Sequence, residues 1–309
     1  MSSPGIVAAV DCGTNSTRLL IVDGSGATLV RQMRITRLGA GVDATRSLAP
    51  EAVARTLAVL GDYRAVMDEQ KVERARLVAT SAVRDASNGD AFLRAAGETI
   101  GTRAELLSGT EEGRLSYAGA TAGLPAEGID DVVVDIGGGS TELVLQRDGA
   151  IHAVSLNLGC VRLSERYLRH DPPRAEEVAE VVTAIGAELD RAVEVVPALG
   201  SLPADRRLIG LAGTVSTLTA LQLGLVTYER ARVHHAILTR DEVAHWCDVL
   251  AAETSAERAR RAGMLEGRQD VIVGGALVLR EVMTRFDFAQ CLVSESDILD
   301  GLVQSLQAG

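Results

Sequence analysis

A strand, a tight polar turn and a second strand occur twice in this 309-residue chain, 124 positions apart. The first copy runs through an apolar stretch at 6–11, breaks at Cys12-Gly13-Thr14-Asn15-Ser16, resumes at 18–22 and ends at Asp23-Gly24-Ser25-Gly26. The second runs through 132–135, breaks at Ile136-Gly137-Gly138-Gly139-Ser140-Thr141, resumes at 142–146 and ends at Asp148-Gly149. Asp11 falls on Asp135, Gly13 on Gly137, Ser16 and Thr17 on Ser140 and Thr141, and Leu19 on Leu143. Each copy reads as two strands joined by a glycine turn. A repeat this long is no solenoid unit and predicts two domains of similar construction. The expected boundary lies where Gly123, Pro125 and Gly128 cluster. It gives domains 1–124 and 125–309, with a last helix at about 296–309 packing back on the first.

Between and after the hairpins, strand and helix patterns alternate, so the fold class is α/β. Helices are predicted over 50–69, 90–100, 113–122, 174–196, 215–223, 239–252, 270–285 and 296–307, and strands over 76–80, 105–107, 151–156, 207–211 and 289–293. Ser108 with Glu111 three positions on fits a capping box.

Composition narrows the function. With 47% hydrophobic and 24% charged residues the chain is globular, and 3% aromatics is too few for a base-stacking platform. Thirty-one basic against 42 acidic residues, a net charge of −11, disfavours diffuse attraction to nucleic acid or an anionic membrane. An anionic ligand must be bound locally. Lys71 is the sole lysine and follows Gln70, so no Walker-type phosphate loop exists. Cys12, Cys160, Cys247 and Cys291 are too scattered for a zinc knuckle or a disulfide framework. Without a basic n-region or an 18-residue apolar run, the expected location is the cytoplasm.

The chemistry concentrates at the turns. Turns rich in Gly, Ser, Thr and Asn present consecutive backbone N–H groups as an anion nest, and two of them facing one another would clamp phosphates between domains. Asp11 and Asp135 close the preceding strands, where a carboxylate either holds Mg²⁺ or caps its own turn. Gly210-Leu211-Ala212-Gly213-Thr214 joins a strand to a helix start, a further fit to anion contact at Gly213. Arg84 follows a strand and a Thr-Ser turn, where its fork can reach phosphate oxygens bidentately, and Arg268 before the 270–285 helix is a second candidate. His234 and His235, adjacent in a strand, would point to opposite faces and could not share a metal.

Asp11-Cys-Gly-Thr-Asn-Ser-Thr17, Thr80-Ser-Ala-Val-Arg-Asp85, Ser108-Gly-Thr-Glu-Glu-Gly-Arg114, Asp135-Ile-Gly-Gly-Gly-Ser-Thr-Glu142 and Ala212-Gly-Thr214 resemble, in order, the motifs of the exopolyphosphatase and guanosine pentaphosphate phosphohydrolase family. The resemblance implies an actin-like fold of two ribonuclease-H-like domains with an interdomain cleft. It implies a short two-domain subtype that removes terminal orthophosphate from inorganic polyphosphate with Mg²⁺, or with Mn²⁺ in its place. Glu112 then resembles the general base and Glu142 the second catalytic carboxylate, with Asp11, Asp135 and Glu142 on the metal. Asn15, Ser16, Arg84, Gly137, Gly138, Ser140, Gly213 and Arg268 form the phosphate contacts. A homodimer is implied by the resemblance alone.

Three alternatives stand beside this reading: hydrolysis of the 5′ γ-phosphate of guanosine pentaphosphate, an actin-like ATPase or sugar-kinase-type phosphotransferase, and a non-enzymatic phosphate sensor. Glu112 and Arg84 in their motifs argue against the kinase.

Overall fold

The computed structural model describes residues 5–125 and 129–308. The chain forms two compact units, Met1–Gly119 with Ile298–Gly309, and Ala120–Asp297. Residues 126–128, inside the segment expected to join two domains, lie outside the described residues.

The first unit is built on strands β1 (Val7–Cys12), β2 (Ser16–Val22), β3 (Thr28–Ile35), β4 (Arg74–Ala79) and β5 (Ala104–Leu106), in the order β3-β2-β1-β4-β5. β2 runs antiparallel to β1 and β3, whereas β1, β4 and β5 are mutually parallel. Its longer helices are α1 (Pro50–Glu69), α2 (Gly89–Ile100) and α3 (Gly109–Thr121). Every residue of β1 is buried, because the sheet is covered on both faces and each face takes alternate residues. Ala8, Val10, Leu19, Ile21 and Leu77 pack with Leu60, Tyr63 and Met67 of α1. Val7, Ala9, Leu20, Val22 and Val78 pack on the other face against a helix from the far end of the chain.

The second unit repeats the order. Strands β6 (Asp130–Ile136), β7 (Thr141–Arg147), β8 (Ala150–Leu156), β9 (Arg206–Leu211), β10 (Ile237–Thr239) and β11 (Gln290–Val293) are arranged β10-β11-β9-β6-β7-β8. The longer helices are α4 (Cys160–Tyr167), α5 (Ala175–Val195), α6 (Ala212–Gln222), α7 (Arg240–Ala252) and α8 (Ile272–Arg285), and α9 (Ile298–Ala308) returns to the first unit. With β10 set aside, both sheets read third, second, first, fourth, fifth strand, with only the second antiparallel to its neighbours. This is the construction of two ribonuclease-H-like domains. Among the described residues no helix is long and apolar enough to cross a membrane.

Three local departures have physical causes. The helix predicted over 113–122 begins at Gly109, because Ser108 and Glu111 cap it reciprocally: the Glu111 N–H donates to Ser108 Oγ at 3.2 Å and the Ser108 N–H to Glu111 Oε2 at 2.9 Å. β3 escapes sequence reading because it is an edge strand with scarcely a buried residue. α4 has no local cap at all. Its first N–H groups, from Cys160, Val161 and Arg162, donate to the carbonyls of Gly137 and Gly138, a cap supplied from 23 or so residues upstream.

Candidate active site

In each unit the candidate residues lie where parallel strands end, which is where open α/β sheets present their ligand loops. In the first unit β1, β4 and β5 end at Cys12, Ala79 and Leu106. The loops that follow carry Asn15 and Ser16, Arg84, and Glu112. These loops are tied together: Thr14 Oγ1 and Ser81 Oγ are 2.9 Å apart, and Arg84 Nη1 donates to the Leu107 carbonyl at 2.8 Å and to Glu112 Oε2 at 3.2 Å. Glu112 stands in the first turn of α3 and is buried. Glu111 beside it is exposed, and hydrogen bonds from the Ser108 N–H and hydroxyl hold its carboxyl below the usual range. The two neighbours thus divide: Glu111 caps the helix, and Glu112 faces Arg84.

The two turns share their geometry. Gly13 N–H donates to the Ser16 carbonyl at 3.0 Å, and Gly137 N–H to the Ser140 carbonyl at 3.0 Å. Their outward carbonyls are taken by the chain behind them. Thr14 and Asn15 oxygens accept from Gly39, Thr36 and Arg37, and Gly137 and Gly138 oxygens accept from the start of α4. Among the described residues, the N–H groups of Thr14, Asn15, Gly138 and Gly139 donate no hydrogen bond. With oxygens consumed on one side, the remaining side of each turn is donor-rich, the requirement of an anion nest. Asn15 Nδ2 is likewise buried with no partner among the described residues, a donor that burial makes costly to leave unmatched.

In the second unit β6, β9 and β11 end at Ile136, Leu211 and Val293. Asp135 and Glu142 face each other across β6 and β7, and Glu142 faces Ser155 across β7 and β8. Glu142 is 1% exposed and Asp135 8%. Ser155 Oγ donates to Glu142 Oε1 at 2.7 Å. Two buried carboxylates at one cross-strand position repel unless a cation or shared proton lies with them. Gly213 opens α6 with the Arg268 guanidinium laid on it: a Cβ there would sit 2.0 Å from Arg268 Nη2. Arg268 itself is buried. Cys160, near Arg268 and Thr214, is fully buried, and that burial pushes its thiol up. It packs against the backbone of Gly274 and Gly275.

The expectations therefore fall into two groups. Asn15, Ser16, Arg84 and Glu112 gather in the first unit with Asp11. Asp135, Gly137, Gly138, Ser140, Glu142, Gly213 and Arg268 belong to the second. Asp11 differs from its counterpart, because Arg18 donates to its Oδ2 from Nε at 3.0 Å and from Nη2 at 2.6 Å. Neither Arg18 nor Ser155 was singled out from sequence, although the 124-residue offset that pairs Asp11 with Asp135 also pairs Arg18 with Glu142. Among the described residues no three His, Cys, Asp or Glu side chains gather to hold a metal. The histidine expectation is corrected. His234 and His235 follow a single helical turn, Arg230–Val233, not a strand. The left-handed backbone of His235, φ +65°, folds its ring over that of His234, with centroids 3.7 Å apart.

Comparison with known proteins agrees with this geometry. A sequence model of the Ppx/GppA phosphatase family matches residues 20–307. Exopolyphosphatase 2 of Mycobacterium tuberculosis is 43% identical over 316 residues, covering 97% of this chain and 98% of that protein. The crystal structure of an exopolyphosphatase-like protein superposes with a TM-score of 0.92 at 36% identity, covering 98% and 99% of the two chains. The Aquifex aeolicus member of the Ppx/GppA family gives a TM-score of 0.80 at 32% identity, covering 97% of each chain.

Proposed function

Because the chain belongs to the Ppx/GppA phosphatase family, we propose that it is a phosphoanhydride hydrolase releasing terminal orthophosphate from inorganic polyphosphate. The observation that carries this reading is the buried Glu112 carboxylate, held by Arg84 at 3.2 Å on the loop after β5, at the same sheet edge as a donor-rich turn. Phosphoanhydride cleavage asks the protein for little beyond an oriented water and charge neutralisation. Glu112 takes a proton from the attacking water while the water oxygen bonds to the terminal phosphorus. The bridging P–O bond breaks, its electron pair leaves with the shortened chain, and Glu112 passes its proton to solvent. Arg84 keeps Glu112 oriented and offers its remaining N–H groups to phosphoryl oxygens. The Asn15 amide and the N–H groups of the two turns take further phosphates, and Arg268 over Gly213 supplies another positive fork.

Asp135 and Glu142 fit a hard divalent cation, because Mg²⁺ is held by one or two carboxylates and completes its shell with phosphate oxygens and water. When bound, Mg²⁺ or Mn²⁺ supplies neutralisation of the charge that develops on the phosphoryl oxygens. Ser155 fixes Glu142 Oε1 and so orients the carboxylate toward that task. All four cysteines are free and buried, which suits a reducing compartment and supports the cytoplasmic reading. The homodimer is carried over from the family resemblance and is read by light scattering.

The test is orthophosphate release from polyphosphates of defined length, guanosine pentaphosphate and ATP in parallel, with and without Mg²⁺. Release from polyphosphate supports the proposal; preference for guanosine pentaphosphate moves the substrate within the family, and sugar-dependent formation of ADP overturns it. Glu112→Gln is expected to lower turnover by roughly 10² to 10⁴ while substrate binding stays near wild type. A variant with wild-type turnover removes Glu112 from the mechanism.

A further inference from the structure

The two hairpins repeat each other down to the hydrogen bond that closes each turn, and they differ in charge at one cross-strand position. Asp135 faces Glu142, whereas Asp11 faces Arg18. Asp11 is 2% exposed, and a carboxylate this buried requires a countercharge. In the first hairpin the countercharge is covalently part of the chain. Arg18 grips Asp11 Oδ2 through two nitrogens, with the side chain itself only 19% exposed. In the second hairpin, replacing that guanidinium by a carboxylate reverses the sign and leaves the strand pair dependent on a cation from solution.

We propose that Arg18 stands where the second hairpin takes a divalent cation. The first turn is then a metal-free anion site, and the chain holds one metal, at Asp135 and Glu142. Arg18 is a positioning residue. It fixes Asp11, whose Oδ2 lies 3.7 Å from where a Gly13 Cβ would be, and so steadies the turn that carries Asn15. A divalent ion on Asp11 would have to share its carboxylate with a guanidinium already at contact distance, a repulsion that grows in a poorly solvated site. The inference rests on the metal reading of Asp135 and Glu142 given above.

Binding of Mn²⁺ without substrate, followed by electron paramagnetic resonance and calorimetry, tests it independently of turnover. Wild type is expected to take one equivalent. Asp135→Asn is expected to lose it, and Asp11→Asn to keep it with Kd changed less than about threefold, under 1 kcal/mol. Arg18→Glu writes the second hairpin's residue pair into the first and is expected to take a second equivalent. Two equivalents in wild type with one lost in Asp11→Asn, or a folded Arg18→Glu protein that still takes one, overturns the proposal. Should Arg18→Glu fail to fold by circular dichroism, the Asp11→Asn titration decides alone. No Mn²⁺ uptake by wild type would instead sink the metal reading of Asp135 and Glu142, and this inference with it.

Discussion

At Gly213 a single hydrogen atom in place of a side chain lets the Arg268 guanidinium lie against the first turn of α6, since a Cβ would fall 2.0 Å from Nη2 and 2.2 Å from Cζ. The obstructing group is the end of a long side chain, so Gly213→Ala is accommodated by swinging the fork aside rather than by moving backbone. A charge-assisted contact is worth about 1.5–3 kcal/mol, so the expected outcome is a KM for polyphosphate raised roughly tenfold or more, with the melting temperature moved by only a few degrees. Steady-state kinetics and calorimetry check both halves. An unchanged KM would remove Arg268 from the phosphate contacts. The neighbouring glutamates make a related point: Glu111 and Glu112 differ by one position and by about 100° around the helix, which is enough to assign one to the cap and the other to Arg84.

Elements in this chain are held at their ends by groups from other elements as often as by their own. α5 is the clearest case. Glu177 in its first turn accepts hydrogen bonds from the His170 ring at 2.8 Å and from the N–H groups of Arg169, His170 and Arg174 at 3.0–3.3 Å. These bonds, the histidine's first among them, hold its carboxyl down at about 2, against an ordinary value of 4.5. A carboxyl lowered in the folded state contributes stability that is fully present above about pH 4.5 and is lost as pH falls toward 2. Glu177→Gln is therefore expected to unfold at lower denaturant concentration at pH 7 and to show a flatter stability profile between pH 4.5 and 2. Urea titrations across that window measure it. Parallel profiles for the two proteins would assign the acid sensitivity elsewhere.

At the scale of the whole molecule, the last helix closes the first sheet. α9 lays Ile298, Leu299, Leu302 and Val303 on Val7, Ala9, Leu20, Val22 and Val78. It is pinned by Arg31 to Asp300 at 2.6 Å and by Arg76 to Ser305 at 2.7 Å. Gly301 permits the approach, because a Cβ there would stand 2.1 Å from the Leu115 carbonyl oxygen, a backbone atom of α3 that cannot swing away. Gly301→Ala is expected to cost about 1–3 kcal/mol of stability through overpacking, read as a shifted urea midpoint. Removal of 298–309 is expected to leave one face of the first sheet exposed and the protein aggregation-prone. A truncated chain that stays monomeric with an unchanged midpoint would contradict that role.

The amino-acid order alone determined the elements whose signals are local. The hairpins declare themselves by apolar runs broken by glycine, α1 by Pro50 at its first position and α3 by its capping box, and the duplication by residue-for-residue repetition at constant offset. Only the tertiary structure decided what depends on partners distant in sequence. α4 is capped by carbonyls of another turn, and β3 is a strand because β2 offers it an edge. Arg18 becomes a countercharge because antiparallel register sets it across from Asp11, and Glu112 separates from Glu111 because Arg84 arrives from a different loop. Periodicity and turn chemistry act over a few residues and are written in the chain. Charge pairing and cap satisfaction act through space, between residues that folding alone brings together.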